Sequence, residues 1–112
     1  MRQNKRMTVN EFLEAIKYLE ETKYEIQITN RFKKSLDLSF RRNLDLILLK
    51  DVIHLLAKGK KLDAKHRSHT LEGYKTVIWE CHVTSDWLLL WQQIDDGLIL
   101  ILLDTGSHSD LF

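Results

Sequence analysis

The sequence predicts a single α+β domain: an antiparallel sheet packed against an αα-hairpin, with an extra helix at the N-terminus. Three observations predict it. Apolar residues recur at helical spacing through the first half, from Val9 to Leu56. After Gly73 the pattern changes to alternation rich in β-branched and aromatic residues. The 112 residues, 44% of them hydrophobic, suffice for one core and are too few for two.

Each element has a local reason. Thr8-Val9-Asn10-Glu11 matches a capping box, so a helix starts there and runs to about Glu21. Its stripe of Val9, Phe12, Leu13, Ile16 and Leu19 needs a partner surface, because so short a helix is marginal alone in water. Tyr24 to Thr29 alternates with period two and reads as a strand. Thr29 or Asn30 caps a second helix that runs to about Arg42. Phe32, Leu36 and Phe40 mark its inner side, and Arg31, Lys33, Lys34, Arg41 and Arg42 its outer side. A third helix runs from Leu44 or Asp45 to Lys58, with Gly59 as the residue beyond its C-cap. Leu48, Leu49, Val52, Ile53, Leu55 and Leu56 nearly surround it, which predicts deep burial. These two helices form the αα-hairpin.

Residues 59–73 have no periodicity and read as a basic loop, long enough to suggest function. Lys75 to Val83 and Asp86 to Ile94 read as strands. Asp95-Asp96-Gly97 supplies a hairpin turn. Leu98 to Leu103 is apolar on both faces, as for a strand covered on both sides. Asp104 to Ser107 then turns the chain into a short tail, His108 to Phe112.

The formal net charge of +1 conceals a division. Residues 1–67 hold 16 Lys/Arg against 9 Asp/Glu, a net +7, and residues 68–112 hold one Lys against 7 Asp/Glu, a net −6. A basic half is either a footprint for nucleic acid or a solvated helical face, and charge alone does not separate the two. Cys81 is the one cysteine, so neither an internal disulfide nor a Cys-based zinc site is possible, and a reducing, cytoplasmic setting is expected. The longest apolar run, Leu98 to Leu103, is too short to cross a bilayer, and the first residues carry no signal-peptide pattern.

Among five histidines, three can converge. Strand parity puts His82 on the same face as Glu80, with Trp79, Cys81 and Val83 on the other. Asp86 follows within a turn, His69 lies just before this strand, and His108 just after the last. Histidine suits metal-free cleavage of RNA, because its ordinary pKa of about 6.5 lets one ring accept the 2′-OH proton and another protonate the leaving oxygen. Cations in or near the loop are available to the phosphate: Lys60, Lys61, Lys65, Arg67 and Lys75. The competing reading makes each histidine an ordinary hydrogen-bonded residue. A zinc site of His69, His82, Asp86 and His108 is chemically possible, but no recognised ligand spacing supports it, so no metal and no cofactor are expected. His54 and His66 read as surface residues. Trp87 and Trp91 share a strand face and are most simply core, with base stacking the alternative; Trp87 is placed among the candidate substrate-positioning residues. Cys81 reads as core.

The segments His69-Thr70-Leu71-Glu72-Gly73, Glu80-Cys81-His82-Val83, Ser85-Asp86-Trp87 and Thr105-Gly106-Ser107-His108-Ser109-Asp110-Leu111-Phe112 resemble, in order and spacing, the YafQ family of bacterial toxins, a branch of the RelE superfamily. The resemblance covers about residues 23–112, leaving residues 1–22 as an N-terminal helical extension. It implies a RelE-like fold and a ribosome-dependent endonuclease that cuts mRNA in the A site without a metal. It also implies a cognate antitoxin of the RelB/DinJ type. The reaction would fall to His69, His82, Asp86 and His108, with Asp86 or His108 as base and His69 or His82 as acid. Glu80 and Phe112 would position the message. The basic loop and first helices would meet ribosomal RNA. Two features depart from the family pattern: Trp79 stands where relatives commonly have arginine, and the helix at 8–21 is additional. These departures keep two alternatives in view, a toxin on the same scaffold that binds a different target and an attenuated remnant.

Overall fold

The computed structural model describes residues 6–112. The elements are α1 (Val9–Lys17), β1 (Glu25–Ile28), α2 (Asn30–Arg41), α3 (Leu46–Ala57), a 3-10 turn (Ala64–His66), β2 (His69–Thr70), β3 (Trp79–Thr84), β4 (Trp87–Ile94), β5 (Ile99–Gly106) and α4 (His108–Leu111). The strand order is β1-β5-β4-β3-β2. Every pair is antiparallel except β1 with β5, which is parallel. The sheet is therefore mixed, with one parallel pair in an otherwise antiparallel array.

The predicted caps form. Thr8 and Glu11 make both hydrogen bonds of the capping box. Thr29 caps α2 through the Phe32 N–H, and Asp45 caps α3 through that of Ile47. Both long helices end in the same way. Lys60 N–H donates to the Leu55 carbonyl and Gly59 N–H to that of Leu56, with Gly59 at φ +77°. Leu44 and Asn43 repeat the pattern on Ser39 and Phe40, with Asn43 at φ +63°. These are Schellman endings, which satisfy the last helical carbonyls.

The helices lie on one face of the sheet. Phe32 and Leu36 from α2, with Leu49, Ile53 and Leu56 from α3, meet Cys81, Leu89, Trp91, Leu100 and Leu102 from the strands. Full burial of each such side chain contributes roughly 1.5–3 kcal/mol. α1 joins this core instead of lying loosely on it. Phe12 is fully buried, with its ring 6.3 Å from that of Phe32, and Ile16 is buried beside it. Leu19 packs against the cluster from its edge.

Some expectations need correction. Leu48 and Leu55 are exposed, so α3 is not buried all round; that side faces an open cleft. β5 is not covered on both faces by other layers. Leu100 and Leu102 are buried, but Ile99, Ile101 and Leu103 are half-buried. Their apolar character follows from the strand's interior place, where β1 and β4 shelter its flanks. β5 also continues through Asp104-Thr105-Gly106 where a turn was expected. The strand expected from Lys75 begins at Trp79, because β2 pairs with it through two residues. Among the described residues, no helix is long and apolar enough to cross a membrane.

Candidate active site

The register of β2 on β3 places His69 opposite Glu80. His69 Nε2 lies 3.2 Å from Glu80 Oε1, and Nδ1 donates to the Arg67 carbonyl at 2.7 Å. A carbonyl and a carboxylate both only accept. The Arg67 carbonyl therefore fixes a proton on Nδ1 and turns Nε2 toward Glu80. Glu80 is buried, and a buried carboxylate is costly without such a partner.

Two residues along β3, on the same face, His82 Nδ1 donates to the Ser85 carbonyl at 3.2 Å. A register shift between His82 and Thr84 re-aims the strand end here. Ser85 and Asp86 form the two-residue turn into β4, so Asp86 is exposed and outside the strand predicted for it. The backbone N–H and Nδ1 of His108 both approach Asp86 Oδ1 at 3.4 Å. These long contacts leave Asp86 free to shift toward either His108 or a substrate. The His82 and His108 rings are 5.8 Å apart, and the Phe112 ring lies 6.2 Å beyond His108. His69, Glu80, His82, His108, Asp86 and Phe112 thus form one continuous row.

His108 and Phe112 depend on α4, which is only four residues long and needs external support. Ser107 and Asp110 form a capping box, and Arg42 at the end of α2 binds Asp110 Oδ2 at 2.6 Å. Arg42 and the Ser107 N–H hold the Asp110 carboxyl down at about 2. Because this pKa is depressed, the clip is complete above the ordinary value of 3.8 and is lost as the pH falls toward about 2. Glycine is required at 106: a Cβ there would lie 2.9 Å from that of Asp110.

The expected cations divide into groups. Lys65 and Arg67 line a cleft of about 580 Å³ with His82 and Ser85. Lys60 and Lys61 line a different cleft, with Trp79 and Trp91. Lys75 is exposed between β2 and β3 and lines neither. Trp87 requires correction. It is 2% exposed, and its indole N–H donates to Thr105 Oγ1 at 2.9 Å, so it cannot meet a substrate. Strand parity with Leu89 and Trp91 already pointed to the core. His66, expected at the surface, is half-buried and its Nδ1 donates to the His82 carbonyl at 2.6 Å. No periodic signal marks it, because the contact depends on the 3-10 turn folding over β3. His54 Nε2 similarly donates to the Glu20 carbonyl, tying the segment after α1 to α3.

Burial, with a smaller contribution from the Glu80 charge, pushes the Cys81 thiol up to about 12. Only about one thiol in 10⁵ is then ionised at pH 7. Iodoacetamide should leave the folded chain unlabelled for hours and label it fully in guanidinium. Rapid labelling of the folded chain would show that Cys81 reaches solvent.

The family model for the bacterial toxin YafQ of type II toxin–antitoxin systems matches residues 24–112. The mRNA interferase toxin YafQ of Escherichia coli K12 is 29% identical over 89 residues, which cover 79% of this chain and 95% of that protein. A metal-bound toxin from Helicobacter pylori superposes with a TM-score of 0.76 at 35% identity, covering 80% of this chain and 99% of that one. YafQ from the E. coli DinJ–YafQ complex superposes with a TM-score of 0.75 at 28% identity, covering 80% and 98%. The matched family segment begins beyond α1. The chain belongs to the YafQ family of bacterial type II toxin–antitoxin toxins.

Proposed function

We propose that the chain is an mRNA interferase that enters the ribosomal A site and cuts the codon there by acid–base catalysis without a metal. The observation that carries this reading is the row of His69, Glu80, His82, His108 and Asp86. It offers both partners of a proton-transfer pair within one site. Asp86, with His108 held against it, takes the proton from the ribose 2′-OH. The 2′-oxygen attacks the adjacent phosphorus, and the bond to the 5′-oxygen breaks. His69, oriented by Glu80 and the Arg67 carbonyl, supplies the proton that this leaving oxygen needs. His82 lies between them, and Lys65 and Arg67, in the cleft between α3 and the end of β3, are the cations assigned to the charge on the phosphate. Phe112 offers an exposed ring face to the message.

Glu80, His82 and His108 each bring one ligand atom within 4.8 Å of the others. Two imidazoles and a carboxylate fit a divalent transition metal, and one H. pylori relative is described as metal-bound. An ion held there would occupy lone pairs that proton transfer uses, and so would oppose cleavage. A DinJ-like antitoxin is the partner that this reading assigns, by likeness to the E. coli complex. The site of action is the cytoplasm, where translating ribosomes are.

The test is a purified translation reaction containing a chelator, with message cleavage mapped by primer extension. Cuts within codons that require ribosomes are expected. Intact message in the presence of folded protein that still arrests growth would overturn this reading in favour of a different target.

A further inference from the structure

We propose that the cleft between the basic loop and Trp79 is a second RNA subsite. It would hold an unpaired nucleotide of the message strand at a distance from the bond that is cut. The inference rests on the RNA-cutting reading above.

The cleft has a volume of about 560 Å³. Trp79 and Trp91 line it, and their rings are stacked, 6.1 Å apart and 13° from parallel. Trp91 is buried and fixed, and its indole N–H lacks a partner among the described residues. Trp79 is half-buried, so the stack ends in a ring at the cleft wall. A nucleobase laid on that ring would extend the stack, and any base can do so because all have a π face. Lys60, Lys61 and Arg67 also line the cleft, exposed, and make no ion pair among the described residues. Asp63 is the acid among the lining residues, so the balance favours an anion. An aromatic platform flanked by unpaired cations matches the two parts of a nucleotide, base and phosphate.

Arg67 makes the message strand the favoured occupant. It lines both this cleft and the one that holds His82. Its backbone is left-handed, with φ +50°, and its carbonyl accepts the His69 Nδ1 hydrogen bond. One residue thus borders both clefts and is tied to the proposed acid. A strand passing Arg67 at the β2 edge would run from the histidine row on one face of the sheet to Trp79 on the other.

Single-stranded RNA carrying 2′-O-methyl groups cannot be cut and serves as the probe in fluorescence anisotropy. Trp79→Ala should weaken binding of a decamer roughly 10-fold, the weight of one base stack. Trp79→Phe, which keeps a ring and the packing, should stay within about 3-fold of the parent. Neither change should alter binding of a trinucleotide, which is too short to reach both clefts. Lys60→Ala with Lys61→Ala should lower the salt dependence of decamer binding by a slope of about one to two. Decamer binding that is unchanged in a folded Trp79→Ala chain would overturn the subsite. So would equal losses on the trinucleotide and the decamer, or crosslinks from Trp79 to ribosomal RNA in place of message. If the parent binds RNA through Trp79 but never cuts it, the cutting reading fails and the subsite stands.

Discussion

Replacing His82 with alanine should lower the rate of codon cleavage by about 10²–10⁴ while leaving the chain folded, because the ring stands between the proposed base and acid and the loss of one member of such a unit costs about that much. The geometry explains why the two effects separate. His82 is half-buried on the sheet face opposite the helices, and its side chain makes one hydrogen bond, to Ser85. Its strand neighbours Cys81 and Val83 provide the core contacts. Removing the ring therefore leaves no cavity in the core. His108→Ala should behave alike, since α4 is held by Arg42, Asp110 and Ser107 and not by the imidazole. The two losses should not add, because the groups act in one proton-transfer unit. Single-turnover cleavage on programmed ribosomes and thermal unfolding measure the two quantities. A folded His82→Ala, His108→Ala double variant that cleaves at the parental rate would refute the assignment of the site.

The second large effect lies on the other side of the molecule. Phe12→Ala should destabilise the chain by about 3–5 kcal/mol, the range for deleting a buried phenylalanine ring. For a domain of this size that lowers Tm by on the order of 10 °C or more. Phe12 has no exposed surface, and α1 packs across α3 and α2. The matched family segment starts at residue 24, so this chain draws part of its core from outside that segment. Deleting residues 1–22 should cost more, because Ile16 and Leu19 are lost as well. Cleavage by the Phe12→Ala chain, measured well below its Tm, should remain near parental, since α1 contributes no residue to the histidine row. An unchanged Tm would show that the helix rides on the domain without supporting it.

The ends of helices and the faces of strands were legible because both are local. Thr8, Thr29 and Gly59 occupy the positions their side chains or backbone freedom dictate. Period two was enough to put Glu80 and His82 on one face and Cys81 and Val83 on the other. The choice of strand partner was not legible. Ile26 and Ile28 alternate in the same way whether β1 runs parallel or antiparallel to its neighbour, so the parallel β1–β5 pair left no mark on either strand. Nor could alternation at Lys75 to Ile78 reveal that β2 would be too short to pair with it. His66 was missed for a related reason: its contact joins a 3-10 turn to a strand 16 residues away. The histidine row was found from motif order, and its geometry came from register and from α4.

The place of β5 between β1 and β4 has a consequence for how the molecule assembles. Thr29 Oγ1 donates to the Leu103 carbonyl across 74 residues of chain, and Tyr24 reaches Asp95 across 71. Such distant pairings are slow to find, whereas the helices and the β3–β4 and β4–β5 hairpins form from near neighbours. Docking of β1 on β5 is therefore the late step of folding, and the Arg42–Asp110 clip that seats α4, which spans 68 residues, closes with it. A refolding chain acquires most of its shape while His108 is still undelivered, so secondary structure should return before nuclease activity does.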